Sequence, residues 1–309
     1  MGNDITTINN GATFVEAVLR RRSVRTFNGL RPDGATMTRL KEFARESAEL
    51  RPGDPQFLAL FSRPEIILTE DNRGVDTEDE KPEKLGAYGM VKGARCYAIG
   101  ACADGFGEQL ATGYAFERFV LSCTEAGLGT CWLGATFTRS RFQHYFDSYS
   151  KDARQKMSVR VVSPVGHDAP KQRWGERILR HMSKSDSRKS FNELFSGVAA
   201  PPEGMAKKIV SGEILLQEIE RDGIIAFALE MMRLAPSSTN SQPWRATVTP
   251  QERVTHVTLH SVGQGGRFTL IDMGIGLLHF TETLRLGGRS FDSRLKLNRG
   301  NAIIDIDIR

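Results

Sequence analysis

The sequence predicts an α+β fold of mixed sheets with packed helices, arranged as two halves. Three observations predict it. Helical and strand patterns follow one another in mixed order along the chain. The last apolar run alternates Ile304, Ile306 and Ile308 with Asp305 and Asp307, as a sheet with one wet face requires. A basic, polar, proline-containing connection over residues 166–212 separates two patterned stretches, and no short-period repeat occurs.

The elements follow in order. Phe14, Val15, Val18 and Leu19 have helical spacing, and the period changes to strand alternation at Ser23-Val24-Arg25-Thr26-Phe27. Leu40, Phe43 and Ala44 mark a second helix. Residues 51–55 hold two prolines and a glycine and read as a loop. A strand is expected at 66–68. Residues 71–84 are nearly all charged, without apolar periodicity, and belong in a loop outside the core. Small and β-branched residues over 91–103 read as a buried strand, followed by a helix at about 113–126 that Gly127-Leu128-Gly129 stops. A strand at 159–165 precedes the connection. Beyond it come a helix over 214–234, strands at 244–249 and 254–260, a helix at about 274–286 and a strand at 302–308.

Composition narrows the class. The chain has 309 residues, 39% hydrophobic and 26% charged, as an ordinary globular protein does. Its net charge of +5 is spread through mixed-sign stretches, so neither nucleic acid nor a membrane surface is indicated. Trp132, Trp174 and Trp244 are dispersed and do not make a stacking platform for bases. The first residues lack a basic-then-apolar signal pattern, no apolar run approaches a bilayer span, and Gly2 with Thr6 matches a myristoylation pattern only by its loosest constraints. Cys96, Cys102, Cys123 and Cys131 have no CxxC pairing and read as reduced core thiols, so a cytoplasmic protein is expected.

Two clusters are candidates for chemistry. In Arg20-Arg21-Arg22-Ser23-Val24-Arg25, strand alternation places Arg21, Ser23 and Arg25 on one face, where two guanidinium groups and a hydroxyl suit a phosphate. A basic surface at a helix C-terminus accounts for the same residues equally well. The second cluster is Ala235-Pro236-Ser237-Ser238-Thr239-Asn240-Ser241-Gln242-Pro243-Trp244, where two prolines stiffen a loop rich in donors and acceptors fit for the edge of a planar heterocycle. A plain helix-to-strand turn is the alternative.

RRSVRTF and APSSTNSQPW resemble signature segments of FMN-dependent nitroreductases, and GLGTCWLG at 127–134 resembles a third. The resemblance implies a nitroreductase-like fold. It further implies that Arg21, Ser23 and Arg25, with Arg22 beside them, serve the phosphate, ribityl chain and pyrimidine edge of FMN. Pro236, Ser237, Ser238 and Asn240 would cover the flavin. Arg188 in SRKSFNELF matches a late basic position at the phosphate, with Lys189 its neighbour. Backbone amides around Gly134 and Ala135 would approach the flavin nitrogen that carries the hydride. Residues 272–276 resemble the start of the family's central helix, and KLGAYGMVKGA is similar to a single-chain subgroup of the family.

The basic cluster lies in the front of the chain and the clamp in the back, each without its counterpart. We therefore expect a duplicated, internal pseudo-dimer with halves 1–198 and 199–309, able to form a complete site in one chain and free to dimerise further. The implied activity is a ping-pong transfer of electrons from NAD(P)H through FMN to a small electron-poor acceptor of nitro or quinone type. No catalytic side chain is required, since the isoalloxazine carries the chemistry. The alternative is a protein that stores, senses or delivers FMN.

Other motifs are weak. Gly274-Ile275-Gly276 lacks the third glycine of a dinucleotide fingerprint, and neither a Walker GK[ST] nor a serine-hydrolase elbow occurs. His256 and His260 would stand about 13 Å apart on a strand, too far to share a metal. They read as satisfied surface or sheet residues.

Overall fold

The computed structural model of the chain describes residues 4–69, 91–150, 156–169, 187–263 and 266–309, with side chains from residue 11 onward. The charged stretch at 71–84, residues 84–90 of KLGAYGMVKGA, Trp174, Arg177, Arg180 and Lys184 lie outside the described residues. By proximity the chain falls into two compact units. One is drawn from Arg21–Glu49 and Ser62–Ser183, the other from Met1–Arg20, Leu50–Phe61 and Lys184–Arg309. This is a grouping by contact and differs from the halves 1–198 and 199–309 expected from the placement of the motifs.

The unit drawn from Arg21–Glu49 and Ser62–Ser183 is built on a four-stranded antiparallel sheet. Its strands are β1 (Glu65–Leu68), β2 (Tyr97–Cys102), β3 (Gly129–Thr130) and β4 (Ser158–Gly166), in the order β1-β2-β4-β3. The strand expected over 91–103 is confined to 97–102, the six residues that are buried throughout. Helix α1 belongs to the other unit. Here α2 (Gly34–Ala48) starts at Asp33, whose carboxylate accepts the N–H of Thr36 at 2.7 Å, and this bond holds the carboxyl below its usual range. α3 (Phe106–Glu125) is buried on nearly every side, Glu117 and Arg118 included. α4 (Arg139–Tyr149) was not expected. Its polar composition hides an apolar stripe of Phe142, Tyr145 and Phe146, which pack with Tyr97, Ile99 and Val162 in one core.

The other unit carries a five-stranded sheet. β5 (Phe195–Ser196) runs parallel to β6 (Trp244–Pro250), and β7 (Thr255–Ser261), β9 (Asn301–Ile308) and β8 (Phe291–Asn298) follow antiparallel. Ile304, Ile306 and Ile308 are fully buried, while Asp305 and Asp307 lie on the opposite, wetter face. His256 is the satisfied sheet histidine expected: its Nδ1 stands 2.7 Å from Asp307 Oδ1. That contact, with Arg294, keeps Asp307 below the ordinary carboxylate range.

The helices of this unit are α1 (Asp4–Arg20), α5 (Phe191–Leu194), α6 (Met205–Val210), α7 (Arg221–Leu234) and α8 (Thr269–Leu286). α5, α6 and β5 are short elements within the stretch read as a long connection between halves. The helix expected from 214 begins at Arg221, because a 3-10 turn occupies Leu216–Glu218. α7 and α8 pack tightly at Gly276, where a Cβ would stand 3.0 Å from Met232 Cε and 3.3 Å from Trp244 Cε3. A side chain there would require Met232 or Trp244 to give way by a few tenths of an ångström.

Among the described residues no helix is long and apolar enough to cross a membrane, and no His, Cys, Asp or Glu cluster is arranged for a metal ion. All four cysteines are free and buried, and burial pushes the Cys96 thiol up to about 12.

Candidate functional site

The basic cluster runs as an extended segment joined by single bridges to three different stretches, rather than as a member of the sheet. Ser23 pairs with Thr130, Thr26 with Lys92 and Phe27 with Asp168. The Val24 N–H donates to Thr130 O at 2.8 Å, and Lys92 and the segment exchange bonds of 2.8 Å at Arg25 O and Phe27 N. Val24 is buried and Arg22 exposed, while Arg21, Ser23 and Arg25 are half-buried.

The four candidates in this segment differ in what holds them. Arg22 forms an ion pair with Asp168, so its charge is answered within the chain. Gly129 makes that pair possible. A Cβ there would stand 2.4 Å from Asp168 Oδ1 and 2.9 Å from Val24 Cβ, so only a glycine lets carboxylate and strand approach so closely. Arg21, Ser23 and Arg25, in contrast, have no side-chain partner among the described residues. Half-buried guanidinium groups without an anion are an open site for one.

The same bridge brings the glycine-rich run beside this segment. Thr130 pairs with Ser23, and Leu133 then exchanges two backbone bonds with Val162 at 2.9 and 3.0 Å. The Trp132 indole N–H donates to the fully buried carboxylate of Glu117 at 2.7 Å, which fixes the run against α3. At Gly134 the chain leaves the sheet, with its carbonyl accepting from Arg139 at 3.4 Å. The N–H groups of Gly134 and Ala135 make no hydrogen bond among the described residues. They are donors available to a ligand.

The clamp loop is described within the other unit. Ala235 ends α7 and Trp244 opens β6, both fully buried, and a 3-10 turn at Ser238–Asn240 lies between them. Thr239, Asn240 and Gln242 have positive φ of 52°, 56° and 47°. Three such residues in four positions, none of them glycine, hold a conformation that side chains disfavour and that its surroundings must enforce.

Several bonds enforce it. Ser237 Oγ accepts the Gln242 N–H at 2.9 Å, and the Asp272 carboxylate accepts the Ser238 N–H at 2.9 Å. Arg188 donates to Leu234 O, Ala235 O and Asn240 Oδ1 at 3.0, 2.7 and 3.0 Å, binding the last carbonyls of α7 to the loop. Asn240 Nδ2 returns a bond to Ser187 O at 2.7 Å. Lys189 donates from Nζ to Ser241 O at 2.9 Å and from its backbone N–H to Gln242 Oε1 at 3.1 Å. Burial, and next the Arg245 charge, lower the Lys189 pKa.

Arg188, Lys189, Ser237, Ser238 and Asn240 are thus gathered in one place, together with Pro236. The sequence reading gave Arg188 a phosphate contact, and here its guanidinium is engaged by the loop itself. Three residues of this arrangement had no assigned role: Asp272, Gln242 and, in the first unit, Asp168. A carboxylate set among the apolar residues that open the helix was the available signal for Asp272.

A family model described as "Putative TM nitroreductase" matches residues 72–283. No curated protein matches the chain. Among solved structures, a putative nitroreductase from Thermotoga maritima MSB8 is 18% identical, with 94% of this chain and 92% of that chain covered and a TM-score of 0.51. A putative NADH dehydrogenase/NAD(P)H nitroreductase from Bacteroides thetaiotaomicron is 19% identical over 52% of this chain and 89% of its own, with a TM-score of 0.37. A nitroreductase with bound FMN from Desulfitobacterium hafniense DCB-2 is 13% identical over 52% and 91%, with a TM-score of 0.36. The match over nearly the whole of both chains shows the α+β fold expected from the sequence.

Proposed function

This chain belongs to the family described as putative TM nitroreductase, and from that membership we propose that it is an FMN-dependent oxidoreductase. It would draw electrons from NAD(P)H and pass them, in a ping-pong sequence, to a small electron-poor acceptor of nitro or quinone type. Bound FMN supplies the redox chemistry, accepting hydride and releasing electrons. The chain's residues bind and orient it.

The observation that carries this reading is the presence of two unfilled features on two segments joined by one backbone bridge. Arg21, Ser23 and Arg25 offer charge and a hydroxyl without an internal partner, and the segment that bridges to them leads to the open N–H groups of Gly134 and Ala135. The first set suits a phosphate, ribityl chain and pyrimidine edge. The second suits a ring nitrogen, where backbone donors stabilise developing negative charge. Pro236, Ser237, Ser238 and Asn240 are assigned to covering the ring, with Arg188 and Lys189 at the base of their loop. No side-chain acid or base is needed.

The proposal extends to origin and setting. Duplicated halves at 1–198 and 199–309 would leave one flavin per chain, and free buried thiols suit a reducing, cytoplasmic setting. The visible spectrum of the purified chain, with flavin counted per chain, tests cofactor and stoichiometry together. Anaerobic stopped-flow mixing with NADH and with NADPH tests turnover. Flavin binding without reduction by either donor would leave storage, sensing or delivery of FMN as the function.

A further inference from the structure

Asp272 stands where a carboxyl is costly. It lies in the first turn of α8 among Leu270, Ile271, Met273 and Ile275, and is 4% exposed. Burial pushes its pKa up to about 7, even though the Ser238 N–H acts the other way. Among the described residues that N–H is its hydrogen-bond partner, at 2.9 Å.

The partner is what gives the carboxyl a purpose. Ser238 opens the turn in which Thr239, Asn240 and Gln242 take positive φ. α8 is itself held against both ends of that loop: Gly276, four residues beyond Asp272, packs on Met232 of α7 and on Trp244. A carboxylate on so fixed a helix is a rigid acceptor for a strained turn. Leucine would present the same branched shape, somewhat larger, without desolvating a charge. Because Ser238 is half-buried and its N–H can turn to water, the acid's chief effect is on the shape of the turn rather than on overall stability.

We propose that Asp272 is a positioning residue of the flavin loop, holding Ser237–Asn240 in its binding geometry through the Ser238 N–H. The inference rests on the FMN reading above. It assigns no contact between Asp272 and the flavin.

Two variants test it, Asp272→Asn, which keeps an oxygen acceptor, and Asp272→Leu, which keeps the branched shape alone. FMN affinity is read by flavin fluorescence, thermal midpoint and Ser238 amide exchange on the flavin-free chain. Wild type failing to bind FMN would remove the cofactor reading itself, and is seen before any variant is compared. With binding established, D272L is expected to lose about tenfold or more in affinity and D272N less than about threefold, the scale of one hydrogen bond to a charged group. The D272L midpoint should stay level or rise, and its Ser238 amide should exchange fast while wild type and D272N exchange slowly. Unchanged affinity in D272L overturns the inference, as does equal loss in D272N. A D272L chain that fails to fold, or melts more than about 5 °C lower, also overturns it, because the carboxyl would then be structural.

Discussion

Asp168 pairs with Arg22 across Gly129, and this pair separates one arginine of the basic cluster from its neighbours. Arg22 already has its counter-charge, whereas Arg21 and Arg25 have none among the described residues. Three cations in five residues therefore divide into two kinds, and substitution should distinguish them. Arg21→Ala is expected to weaken FMN binding by about 1.5–3 kcal/mol, the scale of a charged hydrogen-bonding partner. Arg22→Ala removes a partly exposed ion pair and should cost less than about 1 kcal/mol. Flavin titration of both variants checks the order. Equal losses would show that Arg22 leaves Asp168 for the cofactor.

Gly129→Ala addresses the same relationship from the backbone side. The new methyl would meet Asp168 Oδ1 and Val24 Cβ at once, and neither neighbour can yield without disturbing β3 or the basic segment. A loss of about 1–3 kcal/mol in unfolding free energy is expected, as for other overpacked sites. Urea unfolding monitored by the fluorescence of Trp132, three residues away, would show it. Wild-type stability in this variant would mean that the close approach is not enforced.

How much of this was legible beforehand depends on the kind of signal. Periodic elements were: α1, α3, α7, α8 and the strand around Ile304 and Ile306 follow from apolar spacing, because burial imposes it. α4 was not read, since Arg139, Arg141, Gln143 and His144 surround its three buried aromatics and mask the stripe. β8 escaped because it is an edge strand whose Asp292, Arg294 and Lys296 face water. The clamp loop was recognisable by residue type, but its shape was not, as Thr239 and Gln242 carry no preference for positive φ. The Arg22–Asp168 and Ser238–Asp272 contacts join residues 146 and 34 apart. Separations of that size are set by the fold and leave no local pattern.

Asp272 should make stability depend on pH in an unusual direction. Its folded pKa, about 7, lies above the ordinary 3.8, so the folded chain binds more protons between those values. Unfolding free energy therefore falls as pH rises from about 4 to about 7, and levels off above. A shift near three units corresponds to at most about 4 kcal/mol over that window. Urea titrations of wild type and D272N between pH 4.5 and 8, the range set by about one unit beyond the upper value, would expose it as a difference that D272N lacks. Parallel curves for the two would show that Asp272 keeps an ordinary pKa when folded.

Arg188 offers the sharpest division between holding the loop and holding the cofactor. Its guanidinium donates to Leu234 O, Ala235 O and Asn240 Oδ1, so removing it leaves three acceptors to find water at a half-buried helix end. Arg188→Ala is expected to destabilise the flavin-free chain by about 1–3 kcal/mol, the cost of leaving buried polar groups unsatisfied. Arg188→Lys, which cannot span three acceptors with one planar fork, should recover less than half of that loss. Unfolding of apo-protein reads this directly, without any flavin. A variant with wild-type apo stability and weakened FMN binding would instead put the guanidinium on the phosphate, because an arginine free to turn outward would contribute little to the loop in the cofactor's absence.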